Sequence, residues 1–273
     1  MHAQEFTDDK KVLSDYQTSV NALLKKGNTI SGNQALAGLT APHGRVSITM
    51  AKSSKKQMLG HELYTLAKKS TLIVGCSYLC PRCANTHLSE STGYVIDAKG
   101  IVVTNYHVVN TYADMQDGYK PVAFTVRFSD GKVMAIKSVL AASKENDLAI
   151  IQLETSGEVI PALSLADSAN VGDRIYVLGH PKGMHYFFSE GIVTNKYLEE
   201  VGPDGKLFFR NMMAISADYA TGSSGGPVLN QYGQIVGTVS NTKMYTHSEM
   251  NPSVQMVVKN TVPVESLWKL VKK

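Results

Sequence analysis

Thr221-Gly222-Ser223-Ser224-Gly225-Gly226-Pro227 places a serine inside a glycine-rich turn. A serine hydroxyl is a weak nucleophile until a base removes its proton. Histidine does this best when a carboxylate holds its tautomer and stabilises its charged form. Both partners lie upstream: His107 in Thr104-Asn105-Tyr106-His107-Val108-Val109 and Asp147 in Asn146-Asp147-Leu148-Ala149-Ile150. The order His, Asp, Ser differs from the other two common arrangements of this triad. The chain between the three motifs is long enough for the strands of one barrel and part of another.

Outward from these motifs, the chain from Ser70 onward consists of short β-branched runs broken by turn residues, a mostly β pattern. Candidate strands are 71–74, 93–96, 101–104, 123–128 and 148–151, then 174–178, 191–194, 207–209, 212–215, 227–229, 235–239 and 255–258. Hairpin turns are expected at Asp97–Gly100, Ser129–Gly131 and Pro203–Lys206. Residues 263–271 read as a closing helix, with Val264, Leu267 and Leu270 on one side.

The first 65 residues differ in texture. Val12, Tyr16, Val20 and Leu24 recur at helical spacing, predicting an amphipathic helix over about residues 8 to 26. Residues 28–56, rich in Gly, Ser and Thr, are expected to form a loop, and 60–69 a second short helix. Three roles are open for this extension: packing against the body, acting as a removable or inhibitory pro-segment, or binding a partner.

With 273 residues, 43% of them hydrophobic, the chain can bury a sizeable core. Lys and Arg number 27 against 23 Asp and Glu, a net charge of +4. No basic run is interleaved with aromatics, which argues against nucleic acid as a partner. No run of about 18 apolar residues is present, so a transmembrane helix is not expected.

The triad motifs and their surroundings resemble the chymotrypsin/trypsin-like serine proteases, and within them the HtrA/Deg-type bacterial branch. Gly93-Tyr94-Val95-Ile96, the Asp97–Gly100 turn and Ile101–Asn105 are similar to that family's approach to its catalytic histidine. Leu178-Gly179-His180-Pro181-Lys182-Gly183 is similar to a Gly-x-Pro-x-Gly turn of the HtrA/Deg branch. The resemblance runs from about Glu62 to the C-terminus. It implies two packed antiparallel six-stranded β-barrels, over about residues 66–160 and 161–260, within a protease domain 66–273 that follows an extension 1–65. No PDZ domain follows the closing helix, so PDZ-dependent activation is not implied.

The resemblance also implies roles. His107, Asp147 and Ser224 would be the catalytic triad of a serine endopeptidase, acting on a protein or peptide substrate through an acyl-enzyme and needing no cofactor. Gly222 and Ser224 would supply the oxyanion-binding N–H groups. Asp218 stands where trypsin-like relatives place the acid at the base of the specificity pocket; the alternative is a structural acid beside Tyr219. Thr238, Val239, Ser240 and Asn241 would form the edge that pairs with an extended substrate. Ser223 departs from the family's usual Asp or Asn, and a serine cannot pair with a newly formed N-terminal amine. The alternative function is a catalytically inactive or latent relative that binds peptides or proteins. Export to the periplasm or beyond is expected from the family, and Met1-His2-Ala3-Gln4 is compatible with the remnant of a cleavage site.

Cys76, Cys80 and Cys83 are the only cysteines, and His87 follows them. The spacing C-x3-C-x2-C-x3-H supplies four candidate ligands for a structural zinc. A local disulfide with one leftover thiol, or three free thiols, are the competing readings. Covalent haem is excluded, because Ala84 stands where Cys-x-x-Cys-His needs its histidine.

Overall fold

The computed structural model describes residues 6–25, 29–83, 85–202 and 208–273. The turn read at 203–206, the first residue of the 207–209 run and Met1–Gln4 lie outside them. In chain order the elements are α1 (Asp9–Leu24), α2 (Gly32–Thr40), β1 (Val46–Ser47), α3 (Gly60–Ser70), β2 (Thr71–Leu79), β3 (Thr86–Asp97) and β4 (Ile101–Thr104). They continue with α4 (Tyr106–Ala113), β5 (Lys120–Arg127), β6 (Val133–Ser143), β7 (Leu148–Leu153), β8 (Ser164–Leu165) and β9 (Arg174–Gly179). The last are β10 (Phe187–Val201), β11 (Phe208–Ile215), β12 (Pro227–Asn230), β13 (Gln234–Thr246), β14 (Val254–Pro263), α5 (Val264–Leu267) and β15 (Val271–Lys272).

The protein is mostly β. Strands β2, β3, β4, β7, β6 and β5 close a first barrel in that order. In the second sheet, β9, β10, β11, β14, β13 and β12 follow one another, and β12 pairs with both β13 and β9, which closes a six-stranded ring. Strand β8 adds to β13 in parallel.

Side-chain alternation explains why the first-barrel strands read as unbroken apolar runs. Leu72 and Val74 of β2 point into the barrel with Phe124, Val126 and Ile151, while Ile73 between them meets Tyr16 and Val20 of α1. In β4, Val102 faces the barrel interior, while Ile101 and Val103 pack with Leu178, Leu229 and Ile235 of the second sheet. Both faces are covered, so both alternating sets are apolar.

Helix α4 and the two-residue strands β1, β8 and β15 were not expected from sequence, and three further differences have a clear physical cause. Strand β6 was not among the expected runs. Its register shifts twice, between Ile136 and Ser138 and between Val139 and Ala141, and such bulges erase the two-residue period. Helix α2 occupies the stretch read as loop. Gly32 and Gly38 lower its helix propensity, but a Cβ on Gly38 would come within 2.8 Å of Val139 Cβ, and one on Gly32 within 2.8 Å of Pro121 Cγ. Close seating on the barrel holds this helix, helped by a capping box: Gln34 N–H donates to Ser31 Oγ and Ser31 N–H to Gln34 Oε1. The closing helix is one turn, α5. The chain beyond it forms β15, parallel to β1, so hydrogen bonds to Val46 and Ile48 replace those of a longer helix.

Helix α1 is anchored by Tyr16, which is fully buried. Its hydroxyl and that of Thr125 share a 3.0 Å hydrogen bond, and the ring occupies the space a Cβ on Gly75 would need. Tyr16→Phe is expected to cost about 1 kcal/mol by leaving Thr125 without its partner. Tyr16→Ala, which also opens a cavity, is expected to cost about 3 to 5 kcal/mol. Urea unfolding of the two variants checks both values and their order.

Candidate active site

Asp147 and His107 come together where the two barrels meet. Residues 144–147 turn into β7, and Asp147 sits at φ 51°, a left-handed conformation that Asp tolerates better than most residues. The turn is tied to the histidine-bearing segment by Asn105, whose buried Nδ2 donates to the Asp147 carbonyl at 2.8 Å. His107 occupies the first turn of α4. Its Nδ1 lies 3.0 Å from each Asp147 carboxylate oxygen, and its backbone N–H donates to Oδ1 at 3.1 Å. The Ser240 hydroxyl donates to Oδ2 at 2.8 Å. The carboxylate thus accepts from an imidazole, an amide and a hydroxyl, and the imidazole is held through Nδ1 with Nε2 left for other work.

Ser224 stands in the glycine turn across the junction. Its hydroxyl donates to the Ser240 carbonyl at 3.3 Å, and among the described residues it makes no hydrogen bond to His107. The turn is clamped by the first barrel through Thr92. The Thr92 N–H donates to the Ser224 carbonyl at 2.9 Å, and its hydroxyl donates to the Gly222 carbonyl at 2.7 Å. Thr104 completes the clamp by donating to the Thr92 carbonyl at 2.8 Å. From the other side, Lys182 N–H donates to the Thr221 carbonyl at 2.8 Å. Gly222 takes φ 101° and Gly225 φ 83°. A Cβ on Gly222 would overlap the His180 carbonyl oxygen, and one on Gly225 would overlap that of Thr92. Among the described residues the N–H groups of Gly222 and Ser224 have no acceptor.

Ser223 is fully buried against Gly179, and its hydroxyl has no hydrogen-bond partner among the described residues. Asp218 departs from the pocket-base expectation. Its side chain is 75% exposed and pairs with Lys259 at 2.7 Å. That hydrogen bond and charge hold its carboxyl below the ordinary carboxylate value. Lys259 Nζ also lies over the Tyr219 ring, so Asp218 is an exposed, ion-paired acid beside Tyr219 and not the floor of a pocket.

The expected substrate edge needs a similar correction. Thr238 and Val239 are already paired on both sides, Thr238 with Pro227 and Val262, and Val239 with Gly225, Gly226 and Thr261. The Thr238 hydroxyl is engaged by Tyr94 at 2.7 Å. Only from Ser240 onward does β13 lose its second neighbour, so the open edge begins at Ser240 and Asn241.

Cys76 is not in the cysteine cluster. It is buried in the first barrel, and burial pushes its thiol up to about 12. Cys80, Cys83 and His87 do converge, with ligand atoms within 4.8 Å of one another, and all three thiols are free.

Several contributors were not read from sequence. Thr92 and Asn105 act through chain-distant partners and carry no local signal. His185 lies in the loop after β9, with Nδ1 2.9 Å from Asp9 Oδ1 and Nε2 3.2 Å from both Glu90 oxygens. The ring of His180 is 5.8 Å away; burial, then the charge of His185, pulls its pKa down to about 3. Burial pulls His185 down too, but hydrogen bonds and charge from Glu90 and Asp9 outweigh it and raise its pKa above 6.5. A raised folded value means that this stabilisation is complete below the unfolded pKa and is lost as pH rises through the folded one. Urea midpoints of the wild type are therefore expected to fall with rising pH above about 6.5, and Glu90→Gln to flatten that slope.

A buried carboxylate gripping a histidine, across from a serine in a clamped glycine turn at the junction of two β-barrels, defines a class: the trypsin-like fold of serine peptidases. A family model described as a trypsin-like peptidase domain matches residues 91–237, and the chain belongs to that family. Among curated proteins it is similar to Protease Do-like 5, chloroplastic, of Arabidopsis thaliana, with 30% identity over 189 residues, 66% of this chain and 55% of that protein. It is also similar to Putative serine protease HhoA of Synechocystis, with 31% identity over 168 residues, 60% of this chain and 39% of that one. A Probable periplasmic serine endoprotease DegP-like of Ectopseudomonas mendocina is 31% identical over 160 residues, 59% of this chain and 30% of that protein. The chain spans about half or less of the length of these relatives. The Deg5 crystal structure aligns at TM-score 0.59 and 24% identity, covering 77% of this chain and 90% of that one, which supports the fold. These relatives are HtrA/Deg proteases.

Proposed function

We propose that the protein is a serine endopeptidase, with Ser224 as nucleophile, His107 as base and then acid, and Asp147 as the group that holds the imidazole. The observation that carries this reading is the grip on Asp147. A carboxylate accepting from Nδ1 at 3.0 Å keeps the Nδ1–H tautomer and leaves the Nε2 lone pair to take the serine proton. For attack, the Ser224 hydroxyl leaves the Ser240 carbonyl and turns to Nε2. Rotation between staggered wells is a small cost beside the chemical barrier, and catalytic hydrogen bonds commonly tighten only with substrate bound.

Ser224 Oγ then bonds to the peptide carbonyl carbon as its proton passes to Nε2. The carbonyl oxygen gains the negative charge and takes the free N–H groups of Gly222 and Ser224. Collapse breaks the C–N bond, the amine leaves with the Nε2 proton, and water repeats the sequence on the acyl-enzyme. An extended substrate would pair with β13 from Ser240 and Asn241 onward. With Asp218 neutralised by Lys259, no selection for Lys or Arg is expected from that acid. The names of periplasmic relatives support an exported protein.

A second reading, a latent or inactive relative that binds peptide, is favoured by one observation, the 3.3 Å bond from Ser224 to Ser240. A fluorophosphonate probe with peptide mapping separates the two. Labelling of Ser224 alone, lost in Ser224→Ala and His107→Ala, is the expected result. A folded protein that binds peptide, resists the probe and cuts nothing would overturn the first reading.

A further inference from the structure

We propose that Cys80, Cys83 and His87 form a zinc site at the tip of the β2–β3 hairpin, with solvent as the fourth ligand. Strand β2 ends at Leu79, which pairs with Thr86 of β3, and Cys80–Cys83 lie just beyond it at the hairpin tip. Cys80-Pro81-Arg82-Cys83 curls so that Cys83 N–H donates to the Cys80 carbonyl at 3.4 Å and Arg82 N–H to Cys80 Sγ at 3.4 Å. An amide aimed at sulfur stabilises the thiolate, the form that binds metal. The curl also turns both cysteines to one side.

The third ligand comes from the facing strand. His87 pairs with Tyr78 across the hairpin, and the two rings stack with centroids 5.5 Å apart, which fixes the imidazole plane. His87 Nε2 lies 3.0 Å from Cys83 Sγ, and the three ligand atoms all lie within 4.8 Å of one another. Around a tetrahedral zinc, bonds of about 2.3 Å to sulfur and about 2.0 Å to nitrogen put neighbouring ligands about 3.5 to 3.8 Å apart. The 3.0 Å pair and the 4.8 Å upper limit are compatible with that range after small side-chain adjustments. Two thiolates and an imidazole suit zinc in both charge and softness, and the tip is exposed enough to load.

The site has a structural task. Tyr78 also meets Tyr119 edge-on at 5.7 Å, and Pro81 lies against Gly118. Both contacts join the tip to the loop that leaves α4, the helix carrying His107. A metal that ties Cys80 and Cys83 to His87 therefore fixes the support of that loop.

The test uses reduced, chelator-washed full chain titrated with Co²⁺ and then Zn²⁺. One equivalent of cobalt is expected to give the visible bands of a tetrahedral site and a sulfur-to-cobalt charge-transfer band, all displaced by zinc. One equivalent of zinc is expected to slow alkylation of Cys80 and Cys83 about tenfold or more, leaving Cys76 unchanged. Cys83→Ser and His87→Ala should each weaken cobalt uptake by more than about tenfold at unchanged circular dichroism. Three outcomes overturn the site: reduced, folded protein that takes up neither metal, uptake undiminished in both variants, or thiols that zinc does not protect. None of these readouts depends on peptidase activity.

Discussion

If the proposed triad operates, replacing Asp147 by Asn is expected to lower kcat/KM for peptide hydrolysis by about four orders of magnitude and to leave the fold intact. Asn is nearly isosteric, so the carbonyl oxygen still accepts from Ser240 or from the His107 amide. Its NH₂ must then face the remaining partner. Where it faces Nδ1, the imidazole is forced into the Nε2–H tautomer, and the nitrogen meant to take the Ser224 proton already carries one. Three donors converge on this carboxylate at 2.8 to 3.1 Å, and an amide there keeps Nδ1 as a donor only if its NH₂ faces Ser240 and that hydroxyl turns to accept. Steady-state kinetics with a peptide substrate, beside thermal unfolding to show retained structure, checks the prediction. A loss of less than about tenfold would mean that His107 works without this orienting bond.

Gly222→Ala is expected to produce the second large effect, which under the proposed mechanism falls on kcat. At φ 101° an L side chain is strained in any surroundings, and here its Cβ would also overlap the carbonyl oxygen of His180. That oxygen belongs to the backbone of a segment already tied to Thr221 through Lys182 N–H, so it cannot swing aside alone. The glycine turn must rotate instead and carry the Gly222 N–H away from the developing oxyanion. Losing one such donor corresponds to roughly 10²- to 10³-fold in kcat, whereas the backbone strain costs about 1 to 3 kcal/mol of stability. Separate measurement of kcat, KM and the urea midpoint distinguishes the two. A variant that loses stability but keeps kcat would remove Gly222 from the oxyanion site.

The legible part of this protein was local. His107, Asp147 and Ser224 stand in short motifs whose residue types follow from the chemistry, and most strands show as apolar runs because barrel and junction bury both faces. Helix α2 had a local signal as well, the Ser31–Gln34 capping box, hidden beneath glycines whose purpose is contact with Val139 and Pro121. Strand β6 had none, since two bulges cancel its period.

What lay beyond reach depended on residues far apart in the chain. That Thr92 clamps the serine turn, that Ser240 serves Asp147, and that Asp218 turns outward to Lys259 are results of two barrels meeting at one junction. Cys76 shows the same limit within seven residues of Cys83: spacing made it an equal candidate, but its place on β2 sends it into the barrel while Cys80 and Cys83 curl out over the tip. Residue chemistry and order along the chain were sufficient to specify the fold class and to single out His107, Asp147 and Ser224 as the candidate reacting groups. Side-chain direction was not, because it is set by which face of a strand each position takes once the sheet has closed.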